Sequence, residues 1–235
     1  MTQVVLQIKS LRKQYQALRP LRVRDLTIGA GERVALAGLD LGAAEVLVNL
    51  VTGASVPDEG EVIVLDHSTR AISDGDEWLA SLDRFGIVSP RAVLLDGATL
   101  LQNLVMPFTL EIDPIPAAVE AMASALGIEC GIAADRLPQP IANVPAAVRI
   151  RAHLARAVAL NPALLILEHP TADLPAGERR QFALDVARVA SARSLATLII
   201  SEDAEFSAEA ATRRYSLDGA SGELRPPRRK IFGFG

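Results

Sequence analysis

The sequence predicts an α/β fold, with a largely parallel core sheet and an inserted helical subdomain. Three observations lead there. Short apolar runs at 33–38, 85–88, 163–167 and 195–201 alternate with stretches of helical periodicity, the pattern of parallel strands joined by helical crossovers. Those runs are short and nearly continuous in Val, Ile and Leu, as strands buried on both faces are. From Leu100 to Ala157 the periodicity is mainly helical and broken by prolines at 107, 114, 116, 138, 140 and 145.

The elements follow in order. Residues 3–9 and 23–28 read as strands, with a turn at Gly29-Ala30-Gly31-Glu32. The buried strand 33–38 runs into a short loop and then a helix to about Leu50. Gly53 stands where a helix C-terminus favours glycine. Val56-Pro57-Asp58-Glu59-Gly60 is a turn, because proline presets φ and glycine permits the reversal. Residues 61–65 are a strand, 75–82 a helix and 85–88 a buried strand. After the helical middle come the strand 163–167, an amphipathic helix from Gly177 to Ala192, the strand 195–201 and a last core segment at 213–219.

Half of the 235 residues are apolar and only 4% are aromatic, so the core is Leu, Val, Ile and Ala. No apolar run reaches the roughly 18 residues of a membrane span. The opening Met1-Thr2-Gln3-Val4 lacks a signal-peptide layout. The single cysteine, Cys130, excludes an intramolecular disulfide. These features imply a cytosolic chain. A net charge of −4 argues against a general nucleic-acid binder.

The most informative stretch is Val34 to Leu50. It has the layout of a phosphate-binding P-loop, G-x-x-x-x-G-K-[ST], without its chemistry. Gly38 fits the first glycine, and Gly42 adds a second glycine to the turn. Ala43 stands at the second fixed glycine, Ala44 at the lysine and Glu45 at the hydroxyl.

Over nearly its whole length the chain resembles the nucleotide-binding subunit of ATP-binding cassette (ABC) transporters. The resemblance rests on landmarks in sequence: Gly31-Glu32 before the first core strand, the P-loop-like turn followed by Leu47-Val48-Asn49-Leu50-Val51-Thr52-Gly53, and Pro57-Asp58-Glu59-Gly60-Glu61-Val62. Phe85-Gly86-Ile87-Val88 begins the segment similar to the glutamine loop. Residues 155–162 resemble the helix after the signature motif, 164–171 the Walker B segment and 197–203 the switch strand. The resemblance implies a single P-loop NTPase-like domain over 1–235, with an antiparallel β part at its N-terminus and a helical subdomain at about 89–157.

It also implies where catalysis would lie, and those positions are altered. Ala44 supplies no cation, while Asp40 and Glu45 bring negative charge. One like-charge pair at about 4 Å costs on the order of 4 kcal/mol at an effective dielectric of ~20. Glu45 has two readings: a built-in anion where phosphate would sit, or a favourable first-turn residue. At the end of Walker B stand Glu168 and His169. Glu168 keeps a carboxylate suited to weak metal contact. His169 reads either as a general base or as a tolerated polar residue at a strand end. The switch histidine position holds Glu202. The glutamine position holds Pro90, beside Ser89. The signature aligns with Val144-Pro145-Ala146-Ala147-Val148, where proline removes an N–H and alanines hinder close backbone approach. The D-loop aspartate aligns with Pro175, with Asp173 available in a shifted register. Tyr15 matches the aromatic residue that stacks on adenine, or is a packing residue.

The resemblance therefore points to a hydrolysis-deficient ABC subunit at the inner face of the membrane, acting as scaffold or regulatory partner. Expected partners are a membrane permease subunit and a second ABC subunit, identical or different, with no nucleic acid. No cofactor is required, and ATP with Mg²⁺ binds weakly at best. Two alternatives stand beside it: a weak but genuine ABC ATPase, and a soluble regulatory protein on the same fold. Residues 89–113 are apolar and read either as packing inside the helical subdomain or as a groove for a permease helix. The basic end, about 220–235, reads as a solvated tail or a contact for anionic lipid.

Overall fold

The computed structural model describes residues 3–226. Its strands are β1 (Val4–Lys13), β2 (Leu21–Gly29), β3 (Arg33–Ala37), β4 (Glu59–Val64), β5 (His67–Ser68), β6 (Phe85–Val88), β7 (Leu164–Glu168), β8 (Ala196–Ile200), β9 (Arg213–Leu217) and β10 (Leu224–Arg225). The helices are α1 (Leu41–Val51), α2 (Gly75–Ser81), α3 (Leu100–Val105), α4 (Ala117–Glu129), α5 (Ala146–Val158), α6 (Ala176–Ala192) and α7 (Ala204–Ala210).

Two sheets result. An antiparallel sheet has the order β2-β1-β4-β5, and a six-stranded sheet has the order β10-β9-β3-β8-β7-β6. In the second, β3–β8, β3–β9, β7–β8 and β6–β7 pair parallel, and only β9–β10 pair antiparallel. This is the mostly parallel core with an antiparallel N-terminal part that the sequence implied.

The two-residue period of a strand sorts the core into two apolar layers. On β7 and β8, Leu164, Ile166, Leu198 and Ile200 join Leu47 of α1 and Ile8 of the antiparallel sheet. Leu165, Leu167 and Ile199 face the opposite way, onto Leu104, Leu126, Leu154 and Phe182 of the helices. Every residue of β7 and β8 is buried, because both faces are covered. The helical subdomain shares its apolar cluster with the sheet, so its packing ties it to the strand ends that carry the site.

Close backbone approach fixes one seam. A Cβ on Gly86 would lie 2.1 Å from the Ala157 carbonyl oxygen, so β6 and α5 meet only because residue 86 has no side chain. The loop between β6 and α3 is ordered by Asn103, which is fully buried. Its carbonyl oxygen accepts from the Leu95 N–H at 2.7 Å, and its amide donates to the Leu95 and Thr99 carbonyls.

Three elements were absent from the sequence reading: β5, α7 and β10. Each is short, and α7 starts through a cap in which the Asp203 carboxylate accepts the Phe206 N–H. β1 runs four residues past Lys9, through Ser10 at φ 47° and a register shift against β4; its polar end disguised it. Glu59 and Gly60 belong to β4 rather than to a turn. In the apolar stretch 89–113, Leu94, Leu100, Leu104 and Val105 are buried, whereas Val93 and Leu95 remain exposed. Arg225 pairs in β10 with Ser216. The remainder of the basic tail, 227–235, lies outside the described residues.

Arg151 and Asp185 form a buried pair at 2.8 Å between α5 and α6, completed by Arg188 and the Ala147 carbonyl. Asp185→Ala, which leaves the guanidinium buried and unpaired, lowers unfolding free energy by about 3–5 kcal/mol in urea titration, and Arg151→Met with Asp185→Leu recovers most of it. Cys130 is fully buried, and burial pushes its thiol pKa up to about 12. Ellman's reagent therefore leaves the folded chain unlabelled at pH 8 and titrates one thiol in denaturant.

Candidate functional site

The site forms where β3 and β7 end, facing the start of α1. β3 stops at Ala37, and only Gly38, Leu39 and Asp40 separate it from the helix. Gly38 has φ 92°, and a Cβ there would stand 2.6 Å from the Leu217 carbonyl oxygen. The turn pressed against the end of β9 thus requires glycine.

Helix starts leave N–H groups without intrahelical partners, and these can cradle a phosphate. Here two carboxylates of the chain itself take the N–H groups of Gly38, Leu39 and Ala43. Glu202, just beyond β8, accepts from the Gly38 N–H at 2.6 Å and the Leu39 N–H at 3.2 Å. Asp40 is the N-cap of α1, and its carboxylate accepts from the Ala43 N–H at 2.8 Å. Its carbonyl accepts from the Ala44 N–H at 2.9 Å.

The built-in anions are therefore Asp40 and Glu202, which corrects the expectation for Glu45. Because α1 begins at Leu41, Glu45 is its fifth residue and lies beyond the first turn. Its side chain is half exposed and pairs with Arg91 at 2.6 Å. Gly42 sits under the ring of Tyr15, where an added Cβ would be 3.8 Å away. Tyr15 packs against the apolar layer beneath α1. Burial, and then the charge of Asp40, raise its phenol pKa.

Arg91 was not anticipated. It follows Ser89 and Pro90 in the loop after β6, where the Ser89 hydroxyl accepts the Arg91 N–H at 3.2 Å. One guanidinium nitrogen reaches Glu45, and the other reaches Glu168 at 2.7 Å. Glu168, at the end of β7, is 2% exposed, and a carboxylate so buried requires a cationic or hydrogen-bonding partner. The sequence clue was slight: one arginine beside the expected glutamine position, with acids at 45 and 168.

His169 adopts φ 41° after the strand. Its N–H donates to the Ile200 carbonyl at 2.8 Å, and its Nε2 is buried without a hydrogen-bond partner. It borders an open cavity of about 340 Å³ with Ser89, Pro90, Ala146, Arg149 and His153. Burial, with Arg156 and Arg149, holds the His153 pKa below its ordinary value.

Pro145 is the N-cap of α5 and makes no side-chain cap. Its carbonyl accepts from the Val148 and Arg149 N–H groups, and the Val144 carbonyl accepts from the Arg149 guanidinium. Val144 and Ala147 are buried. The cavity thus unites Ala146, His169, Ser89 and Pro90, whereas Gly38, Glu45 and Glu202 lie outside its lining.

No protein-family model matches the chain. The chain is 28% identical over 227 residues to the Fe(3+) ions import ATP-binding protein FbpC of Mesorhizobium japonicum, covering 95% of this chain and 61% of that protein. It is 30% identical over 178 residues to the lipoprotein-releasing system ATP-binding protein LolD of Xylella fastidiosa, covering 74% of this chain and 73% of that one. Among solved structures it matches cbiO1 of Clostridium perfringens, part of the ABC transporter complex cbiONQ, with a TM-score of 0.79 at 17% identity over 95% of this chain and 87% of that chain. The ATP-binding cassette MJ0796 in a dimeric state bound to ADP and Pi gives a TM-score of 0.75 at 18% identity, over 95% of this chain and 99% of that chain. At such identity the structural likeness concerns the fold alone.

Removing the carboxylate that fills the turn has a measurable cost. Glu202→Ala lowers stability by about 1 kcal/mol in urea titration, for charge-assisted hydrogen bonds at an exposed side chain. Glu202→Gln, which keeps one acceptor, loses less.

Proposed function

Because the chain belongs to the family of ABC transporter ATP-binding proteins, we propose that it is a subunit whose own nucleotide site no longer turns over ATP. In this reading it serves a membrane transport complex as scaffold or regulator. The observation that carries this is the occupancy of the turn: the N–H groups of Gly38, Leu39 and Ala43 are bonded to carboxylate oxygens of Glu202 and Asp40. A triphosphate would have to displace two carboxylates and would meet no lysine at position 44. The altered roles of Glu45, Glu168, His169 and residues 144–148 support the same reading.

A weak ATPase through Glu168 is disfavoured by its engagement with Arg91. The soluble regulator differs from the scaffold in having no membrane partner. A surface suited to a permease lies between the sheet and α5. There Leu82, Phe85, His153, Arg156 and Leu160 line a depression of about 340 Å³. Exposed Val93 stands next to it, its carbonyl bonded to Arg156. An amphipathic helix of a membrane subunit fits such a depression. Among the described residues no helix is long and apolar enough to cross a membrane. In the scaffold reading, the permease subunit holds the chain at the cytoplasmic face of the membrane. The second ABC subunit is either a copy of this chain or an intact relative.

Titration with a fluorescent ATP analogue and Mg²⁺, together with phosphate release, tests the reading. The expected outcome is no saturation below about 1 mM, equivalent to less than ~4 kcal/mol of binding, and no Mg²⁺-dependent turnover. Micromolar affinity with turnover would overturn it. Purification from membranes separates scaffold from soluble regulator, since only the former stays with a permease.

A further inference from the structure

A cation is already present where the two acids of the site converge. Arg91 contacts Glu45 at 2.6 Å through one terminal nitrogen and Glu168 at 2.7 Å through the other. Glu168 comes from the end of a core strand, Glu45 from the second turn of α1, and Arg91 from the loop leading into the helical subdomain. The three segments are far apart in sequence, and one guanidinium holds all of them.

We infer that Arg91 is a built-in cation that takes the place of an external divalent ion between Glu45 and Glu168, and makes this site refuse metal. Three observations carry the inference. First, Glu168 is almost fully buried, so its charge needs a partner close by, and Arg91 is its only hydrogen-bond donor among the described side chains. Second, the two terminal nitrogens of one planar guanidinium hold both carboxylates. A Mg²⁺- or Mn²⁺-sized ion bonds carboxylate oxygens at about 2.0–2.2 Å, and half-exposed Glu45 is free to approach Glu168 once the guanidinium is removed. Third, the guanidinium brings a fixed positive charge to the two carboxylates, so the buried charge of Glu168 is compensated without any bound ion. Arg91 is thus a residue that sets ion specificity, and it also pins the loop 89–99 to the sheet.

This inference rests on the reading that the chain's own groups fill the site, but concerns the cation rather than the phosphates. The test uses the full chain and Mn²⁺, followed by calorimetry, electron paramagnetic resonance and thermal unfolding. Wild type is expected to show no Mn²⁺-dependent rise in Tm and no specific binding. Arg91→Ala is expected to unfold at lower temperature without metal, to regain Tm with Mn²⁺, and to bind one ion at least about tenfold tighter than wild type, a difference of about 1.4 kcal/mol. Arg91→Ala with Glu168→Gln should lose that binding while remaining folded, since no buried charge is left unpaired. Wild type that binds Mn²⁺ in a manner abolished by Glu168→Gln overturns the inference. So does Arg91→Ala that fails to recover with Mn²⁺, whether folded or unfolded, because a carboxylate pair able to hold an ion is rescued by one. A nucleotide titration of the same wild-type protein keeps the two readings apart: ATP binding without Mn²⁺ binding sinks the functional reading and leaves the role of Arg91 standing.

Discussion

The junction between β3 and α1 imposes the constraint on which the site depends: backbone N–H groups at a strand-to-helix turn must find acceptors. In a phosphate-binding turn, a ligand can provide them. This chain provides them itself for Gly38, Leu39 and Ala43, through Asp40 within the turn and Glu202 just beyond β8. Both anions also lie where a helix start favours negative charge. The N–H groups of Gly38, Leu39 and Ala43 are therefore satisfied without a ligand. Glu202 additionally links the end of β8 to the end of β3, reinforcing the parallel pairing of those strands.

Burial of Glu168 imposes a second constraint, of charge rather than hydrogen bonding. A carboxylate inside the end of a parallel sheet must be neutralised nearby. Arg91 does so, and its reach to Glu45 sets where the loop after β6 can lie. Asn103 holds the other end of the same loop by bonding both polar groups of Leu95. Between these anchors the loop leaves Val93 and Leu95 on the surface. The segment is thus fixed at one end by the buried carboxylate of Glu168 and at the other by the buried amide of Asn103.

The fold was largely legible in the residues. Continuous runs such as Leu164–Leu167 and Leu198–Ile200 can be buried on two faces only in a covered, mostly parallel sheet, and that is where they lie. What escaped were elements with little apolar content of their own: β5, α7, β10 and the far end of β1. The site was legible in part. Missing lysine and hydroxyl chemistry at Ala44 and Glu45 can be read without coordinates. The place of Glu45 could not, since the helix starts at Leu41 and carries residue 45 past the first turn.

The alternation of buried strands and helices, the glycine at position 38 and the composition of the turn follow from local sterics and hydrophobic period, which the order of residues carries directly. Which charges meet depends on the fold as a whole. Glu202 lies 164 residues from Gly38, and Arg91 lies 77 from Glu168. No local pattern records such pairings; they exist because parallel strand order brings distant segments together at the carboxyl ends of neighbouring strands, where each buried or turn-bound polar group takes the partner that topology delivers.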